Sequence, residues 1–232
     1  MIQLKLSTRW VIGASCLTAG CMSGPATIAP EGMAPTQLIA IREWFEPFEV
    51  DTYRRYEIRP WRYRTETGAA AGRAAVHIAP PDSLRFDYQG PFRRSGRAAV
   101  VGDSALWVVP EDDFSGLVAF APLFWAALGL PKPPPPDAPV YSLSRPNFRA
   151  WRYIVGGDTV NFVLRGNPAT HLSGEIRRQG RAIGVVESEI DPATGLATEA
   201  RIDLPLDASR FEFTITNVET LASIDPEIWE NR

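Results

Sequence analysis

From Tyr53 onward the apolar residues of this chain repeat every second position, and that period constrains the fold most. Trp61 and Tyr63 fall on one side of their segment and Arg62 and Arg64 on the other. Val76 and Ile78 alternate with Ala75 and His77, and Leu84, Phe86 and Tyr88 with Arg85, Asp87 and Gln89. Such segments are half-buried strands, apolar on one face and wet on the other. Turn signals separate them at Pro80-Pro81-Asp82, Gln89-Gly90-Pro91, Gly102-Asp103 and Gly156-Gly157-Asp158. The pattern resumes at 151–155, 160–164, 172–178, 182–190, 197–204 and 210–217, where Phe211, Phe213 and Ile215 form a clean stripe. Consecutive strands with short turns predict an antiparallel meander. The count is about ten or eleven strands, in a mainly β (α+β) fold built on one sheet.

Two segments break the period. Leu38, Ile41, Trp44, Phe45 and Phe48 recur at helical spacing, which predicts a helix over 36–48 with Thr36 as its cap. Residues 113–130 are apolar nearly all round, follow Glu111-Asp112-Asp113, and reach a stop at Gly129. A helix of that character must be covered on both sides or contact something apolar. The stretch 132–139, Lys-Pro-Pro-Pro-Pro-Asp-Ala-Pro, is a stiff connection rather than an SH3-type ligand. Proline totals 21 of 232 residues, about twice the usual share, in keeping with turns and strand ends.

The first twenty residues read as an address. Lys5 and Arg9 precede an apolar run over 10–19, too short to span a bilayer and laid out like a secretory signal. Leu17-Thr18-Ala19-Gly20-Cys21 resembles the bacterial lipobox, which implies acylation of Cys21. The domain expectation is a signal over 1–20, a lipidated tether over 21–35, and one body over 36–232. Cys16 and Cys21 are the only cysteines. The body therefore has no thiol nucleophile, disulfide or thiolate metal ligand. Formal charge is −3, and −5 without Lys5 and Arg9, which gives no basic field for a nucleic acid.

Catalytic readings are weak. Gly102-Asp103-Ser104-Ala105-Leu106 is similar to the start of a serine hydrolase family, but it sits between two strand-like runs rather than at a strand-to-helix turn. His77 and His171 have no metal-ligand spacing, and Glu187 with Glu189 read as an exposed acidic strand face. Arg54, Arg55, Arg59, Arg62 and Arg64, interleaved with Tyr53, Tyr56, Trp61 and Tyr63, form the densest basic-aromatic cluster. It reads either as a solvated strand face or as a contact for anionic lipid headgroups. No metal and no cofactor are expected.

The order of parts carries a resemblance. A lipobox, a first helix, the run Pro81-Asp82-Ser83-Leu84-Arg85-Phe86-Asp87, the turn at Gly102-Asp103, the helix end Leu128-Gly129-Leu130-Pro131 and a second meander follow one another. The closing strand Phe211-Glu212-Phe213-Thr214-Ile215 leads to Asp225-Pro226-Glu227-Ile228-Trp229. Together they resemble the bacterial outer-membrane lipoprotein-sorting proteins, the LolA/LolB-like half-barrels. The resemblance implies an incomplete, curved antiparallel barrel with helices as a lid over an apolar hollow. It implies a non-enzymatic envelope lipoprotein, on the outer membrane and facing the periplasm. Such a protein binds lipid or lipoprotein acyl chains and exchanges them with a periplasmic carrier protein. By parity Leu84, Phe86, Tyr88, Trp107, Trp151, Phe162, Phe211 and Phe213 point into the hollow. Phe120, Phe124, Trp125 and Leu128 belong to the lid, and 116–118 or 128–130 are candidates for a membrane-touching loop. The rivals are a partner-binding envelope protein with a fully packed interior and, less strongly, a Ser104-dependent hydrolase.

Overall fold

A computed structural model describes residues 27–91, 94–102, 104–109 and 120–230, with backbone alone at 104–107. Cys21, the leader, Asp103 and the 116–118 loop lie outside the described residues. All strands join one antiparallel sheet: β1 (Ala34–Thr36), β2 (Tyr53–Arg64), β3 (Ala69–Ala79), β4 (Ser83–Gln89), β5 (Ser95–Val101), β6 (Ser104–Val109), β7 (Val140–Arg145), β8 (Phe148–Val155), β9 (Asp158–Gly166), β10 (Ala169–Arg178), β11 (Arg181–Ile190), β12 (Ala197–Leu204) and β13 (Ser209–Leu221). The order across it is β1-β7-β8-β9-β10-β11-β12-β13-β2-β3-β4-β5-β6. β1 and β6 are free edges, so the curved sheet is an incomplete barrel.

Among the described residues thirteen strands replace the expected ten or eleven. The two that sequence missed, β1 and β7, pair with each other, Ala34 opposite Ser142 and Thr36 opposite Val140. β1 is only three residues long, and the inner face of β7 carries Val140, Ser142 and Ser144, so neither presents a clear apolar stripe. β13 pairs with β2 and closes the two meanders into one sheet, Phe213 opposite Trp61 and Phe211 opposite Tyr63.

The expected first helix is corrected. Residues 34–36 are strand, and Leu38–Trp44 and Glu46–Phe48 are two 3-10 turns. Gln37, not Thr36, stands at the N-cap and makes no side-chain cap bond. Pro47 interrupts any longer helix, since it cannot donate to the preceding turn. The apolar stripe survives the tighter geometry: Ile41, Trp44 and Phe45 are buried. The expected tether is also drawn onto the body from Thr27, whose hydroxyl donates to Glu175 on β10.

Of the second expected helix, the described part is α1 (Ala121–Ala127). It ends where the sequence placed its stop. Gly129 adopts φ +77°, the Leu130 N–H donates to the Trp125 carbonyl at 2.9 Å, and the Gly129 N–H to Ala126 at 2.9 Å. This is a Schellman cap, which a glycine in the left-handed region permits. The chain then reaches β7 through a turn in which the Ala138 N–H donates to the Pro135 carbonyl at 3.1 Å, and Lys132 lies over the Trp125 ring at 3.8 Å. No helix among the described residues is long and apolar enough to cross a membrane.

Candidate functional site

Alternation gives the sheet an apolar inner face, and α1 lies across it on β10, β11 and β12. Gly184 on β11 permits the approach: a Cβ there would stand 2.7 Å from Leu123 and 2.9 Å from Phe120. The Ser188 hydroxyl donates to the Ala126 carbonyl at 2.9 Å and pins the helix to the same strand.

The interior divides in two. Under β8 and β9 it is filled. Trp151 packs against Phe45 and Phe162 with ring centroids 5.3 Å apart in each case, and against Trp44 at 6.5 Å. The 3-10 turns thus plug this half, and Trp151 and Phe162 are wholly buried. Among the described residues, the interior under β2 to β6 and β13 is open. An apolar cavity of about 70 Å³ lies between α1 and the sheet, with Leu84, Phe86, Phe124, Leu128, Phe211 and Phe213 in its wall. Ile58, Val76, Ala98, Val100, Val108 and Ala121 complete that wall, so every lining residue is apolar. Sharing Phe86, Phe124 and Phe211 with it is a groove of about 480 Å³. Trp61, Tyr63, Tyr88 and Leu204 line this groove, and among the described residues Arg94 is the one charged residue in its wall. The volume falls in the range of about 300–1,000 Å³ usual for small-molecule sites.

Aromatic rings make the groove wall continuous. Trp61 meets Tyr88 edge-on at 5.8 Å and Phe211 at 6.3 Å, and Phe211 reaches Phe86 and Phe124 at 6.3 Å each. The Trp61 indole N–H donates to the Arg73 carbonyl at 3.0 Å, which keeps its polar edge satisfied and turns its apolar body to the groove.

The expected site residues therefore separate. Leu84, Phe86, Tyr88, Phe124, Leu128, Phe211 and Phe213 come together around the open half. Trp151 and Phe162 belong to the plugged half. Trp125 is packed in the core beneath Lys132, and Phe120 sits against the inner face beside Gly184. Trp107 lies on β6 opposite Ala99, and its side chain is outside the described residues. Sequence reasoning assigned Trp61 and Tyr63 to a basic-aromatic cluster, although their parity with Phe211 and Phe213 was the available signal. Arg94 had no signal, because its position depends on the β4–β5 connection.

The outer face carries the titratable groups. His171 on β10 lies between Glu187 and Glu189 of β11, with Nδ1 3.1 Å from Glu189, and Ser173 donates to Glu187 at 2.8 Å. Register, not chain proximity, brings these acids to the histidine. His77 faces Asp87 at 3.6 Å. Burial acts to raise the Asp87 carboxyl, but interactions with His77 and Arg85 outweigh it and hold the group below its ordinary value. On the inner face, opposite Val76 and wholly buried, the Tyr56 phenol is pushed up by burial, against an opposing pull from Arg54. Ser104 opens β6 in a hairpin at one sheet edge, and His171 stands eight strands away in the sheet order. Among the described residues no group of three or more His, Cys, Asp or Glu side chains is placed to hold a metal ion.

The fold is that of a LolA superfamily protein from Nitrosomonas europaea, with a TM-score of 0.54 at 9% identity, covering 84% of this chain and 98% of that one. A DUF1329 family protein from Desulfovibrio piger aligns with TM-score 0.45 at 7% identity, over 83% of this chain and 95% of that one. A domain described as an outer membrane lipoprotein-sorting protein, from Vibrio parahaemolyticus, aligns with TM-score 0.49 at 7% identity over the same shares. No family model matches the sequence, and no curated protein does.

Proposed function

We propose that this chain is a non-enzymatic carrier or receptor of the bacterial envelope that holds acyl chains of a lipid or lipoprotein. The observation that carries the reading is the open apolar half of the interior, walled by Phe86, Phe124, Phe211 and Trp61 and roofed by α1. An acyl chain crossing water needs a dry apolar container and little directional chemistry. Each buried methylene contributes about 0.8 kcal/mol, so a chain of a dozen carbons offsets a substantial part of the entropic cost of association. The fold shared with a LolA superfamily protein supports the same reading.

The signal over 1–20 and acylation at Cys21 complete the proposal and favour the outer membrane, facing the periplasm. Only five residues separate Cys21 from Thr27, six steps along the chain. An acylated Cys21 would keep Thr27, and the β10 surface it touches, within about 20 Å of the bilayer. A periplasmic carrier protein is the natural partner for exchange of cargo.

The test is displacement of a fluorescent fatty-acyl probe from a soluble Cys21→Ser form. Saturable binding near one ligand per chain is expected. Phe86→Asp and Phe211→Asp should each weaken it at least about tenfold, because each puts a charge into the apolar wall. A folded protein that binds no acyl probe would overturn the reading and favour a packed interior with a protein partner.

A further inference from the structure

The apolar groove does not end in open solvent. At Gly90 and Arg94 it meets a cleft of about 580 Å³ lined by Gly72, Arg73, Gln89, Gly90, Arg94 and Ser95. Through Arg73, Gln89 and Ser95 that cleft continues onto the outer face, where Arg55, Arg59 and Arg97 stand around about 520 Å³. Two acids line this last part, and both are engaged. Glu57 lies 3.5 Å from Arg55, and Asp87 receives two hydrogen bonds from Arg85, at 2.8 and 2.7 Å. Among the described residues no carboxylate lies within ion-pair distance of Arg59, Arg73 or Arg94. The Arg73 Nε donates to Gln89 Oε1 at 2.8 Å, which orients the guanidinium at the junction. Gly72 keeps the junction narrow: a Cβ there would fall 1.9 Å from the Gln89 carbonyl oxygen.

Resting on the acyl-carrier reading, we infer that the ligand is an acyl lipid with an anionic, phosphate-bearing head. The chain lies along Trp61, Phe86 and Phe211, and the head sits at Arg73 and Arg94. Guanidinium groups bind phosphate oxygens in a paired fork, and two of them at the mouth of an apolar groove match an amphiphile whose charge is at one end. A neutral lipid would leave that positive charge uncompensated beside its head.

The experiment compares lauroyl lysophosphatidic acid with monolaurin, which share the acyl-glycerol and differ in the phosphate. Both displace the fluorescent probe from the Cys21→Ser protein below their aggregation concentrations. The phosphorylated lipid should bind at least about tenfold more tightly, the gain of a charge-assisted pair. That advantage should fall to about twofold or less in Arg73→Gln/Arg94→Gln, and partly in Arg94→Gln alone, the loss falling mainly on the phosphorylated lipid. Equal affinities in the wild type, or a preference that survives the double variant, would overturn the inference and leave the groove intact. Failure of both lipids would sink the groove reading and this one with it. Inorganic phosphate alone competing as well as the lipid would assign the arginines to a free-anion site instead.

Discussion

Glu175 is wholly buried on the face of the sheet away from α1, and three neighbours satisfy it. Arg177 donates to Oε2 at 3.1 Å, Asn161 to Oε1 at 2.9 Å, and Thr27 also to Oε1. Arg152 in turn donates to the Asn161 amide oxygen at 2.7 Å. Among the described residues Arg177 is the one cation that touches the carboxylate, so Arg177→Met strands its charge and should destabilise the protein by about 3–5 kcal/mol in urea denaturation. Asp87 provides a second test. Its folded-state value is depressed, so its stabilising interactions are fully present above the unfolded value near ~3.9 and vanish as pH falls through the folded value. Asp87→Asn should therefore cost about 1 kcal/mol at neutral pH, and the deficit should close below about pH 4. Thermal melts at a series of pH values read both the size and the direction of that change.

At the scale of elements, α1 is short, and its place depends on two glycines. Gly129→Ala would force a left-handed alanine and bring its Cβ within 3.2 Å of Ala197. A loss of about 1–2 kcal/mol is expected, measurable as a lower urea midpoint. Gly184→Val should cost more and also impair acyl binding, because it lifts the roof at Leu123 and Phe120. Eleven strands were legible because each buries one face and so leaves a period of two. β1 and β7 were not, since an edge pair with serines facing inward has little apolar contrast. The first helix misled because 3-10 and α patterns share the i+3 spacing, and Leu38, Ile41 and Trp44 satisfy both. The cap at Gly129 was legible because only that residue accepts φ +77° cheaply. Arg94 was not, because nothing local in the sequence says which cavity a turn residue will border.

For the whole molecule, the residue types alone could not separate a packed core from a container. The sheet holds both, and the element order decides where each lies. The chain preceding β2 folds back under β8 and β9 and fills that half with Trp44 and Phe45. Among the described residues no such pair of turns fills the half under β2 to β6, and there Phe86, Phe124 and Phe211 border the cavity and the groove. An acyl occupant should therefore show chain-length dependence. Each added methylene should tighten binding about fourfold until the groove is full, after which affinity should level off. The most direct measurement uses a bromine-labelled fatty acid as a contact quencher of tryptophan. Trp61 lines the groove, whereas Trp125 and Trp151 are sealed in the core. The account predicts saturable quenching that is largely lost in Trp61→Phe while the ligand still binds. No saturable quenching, or quenching indifferent to Trp61→Phe, would contradict an acyl chain lying in this groove.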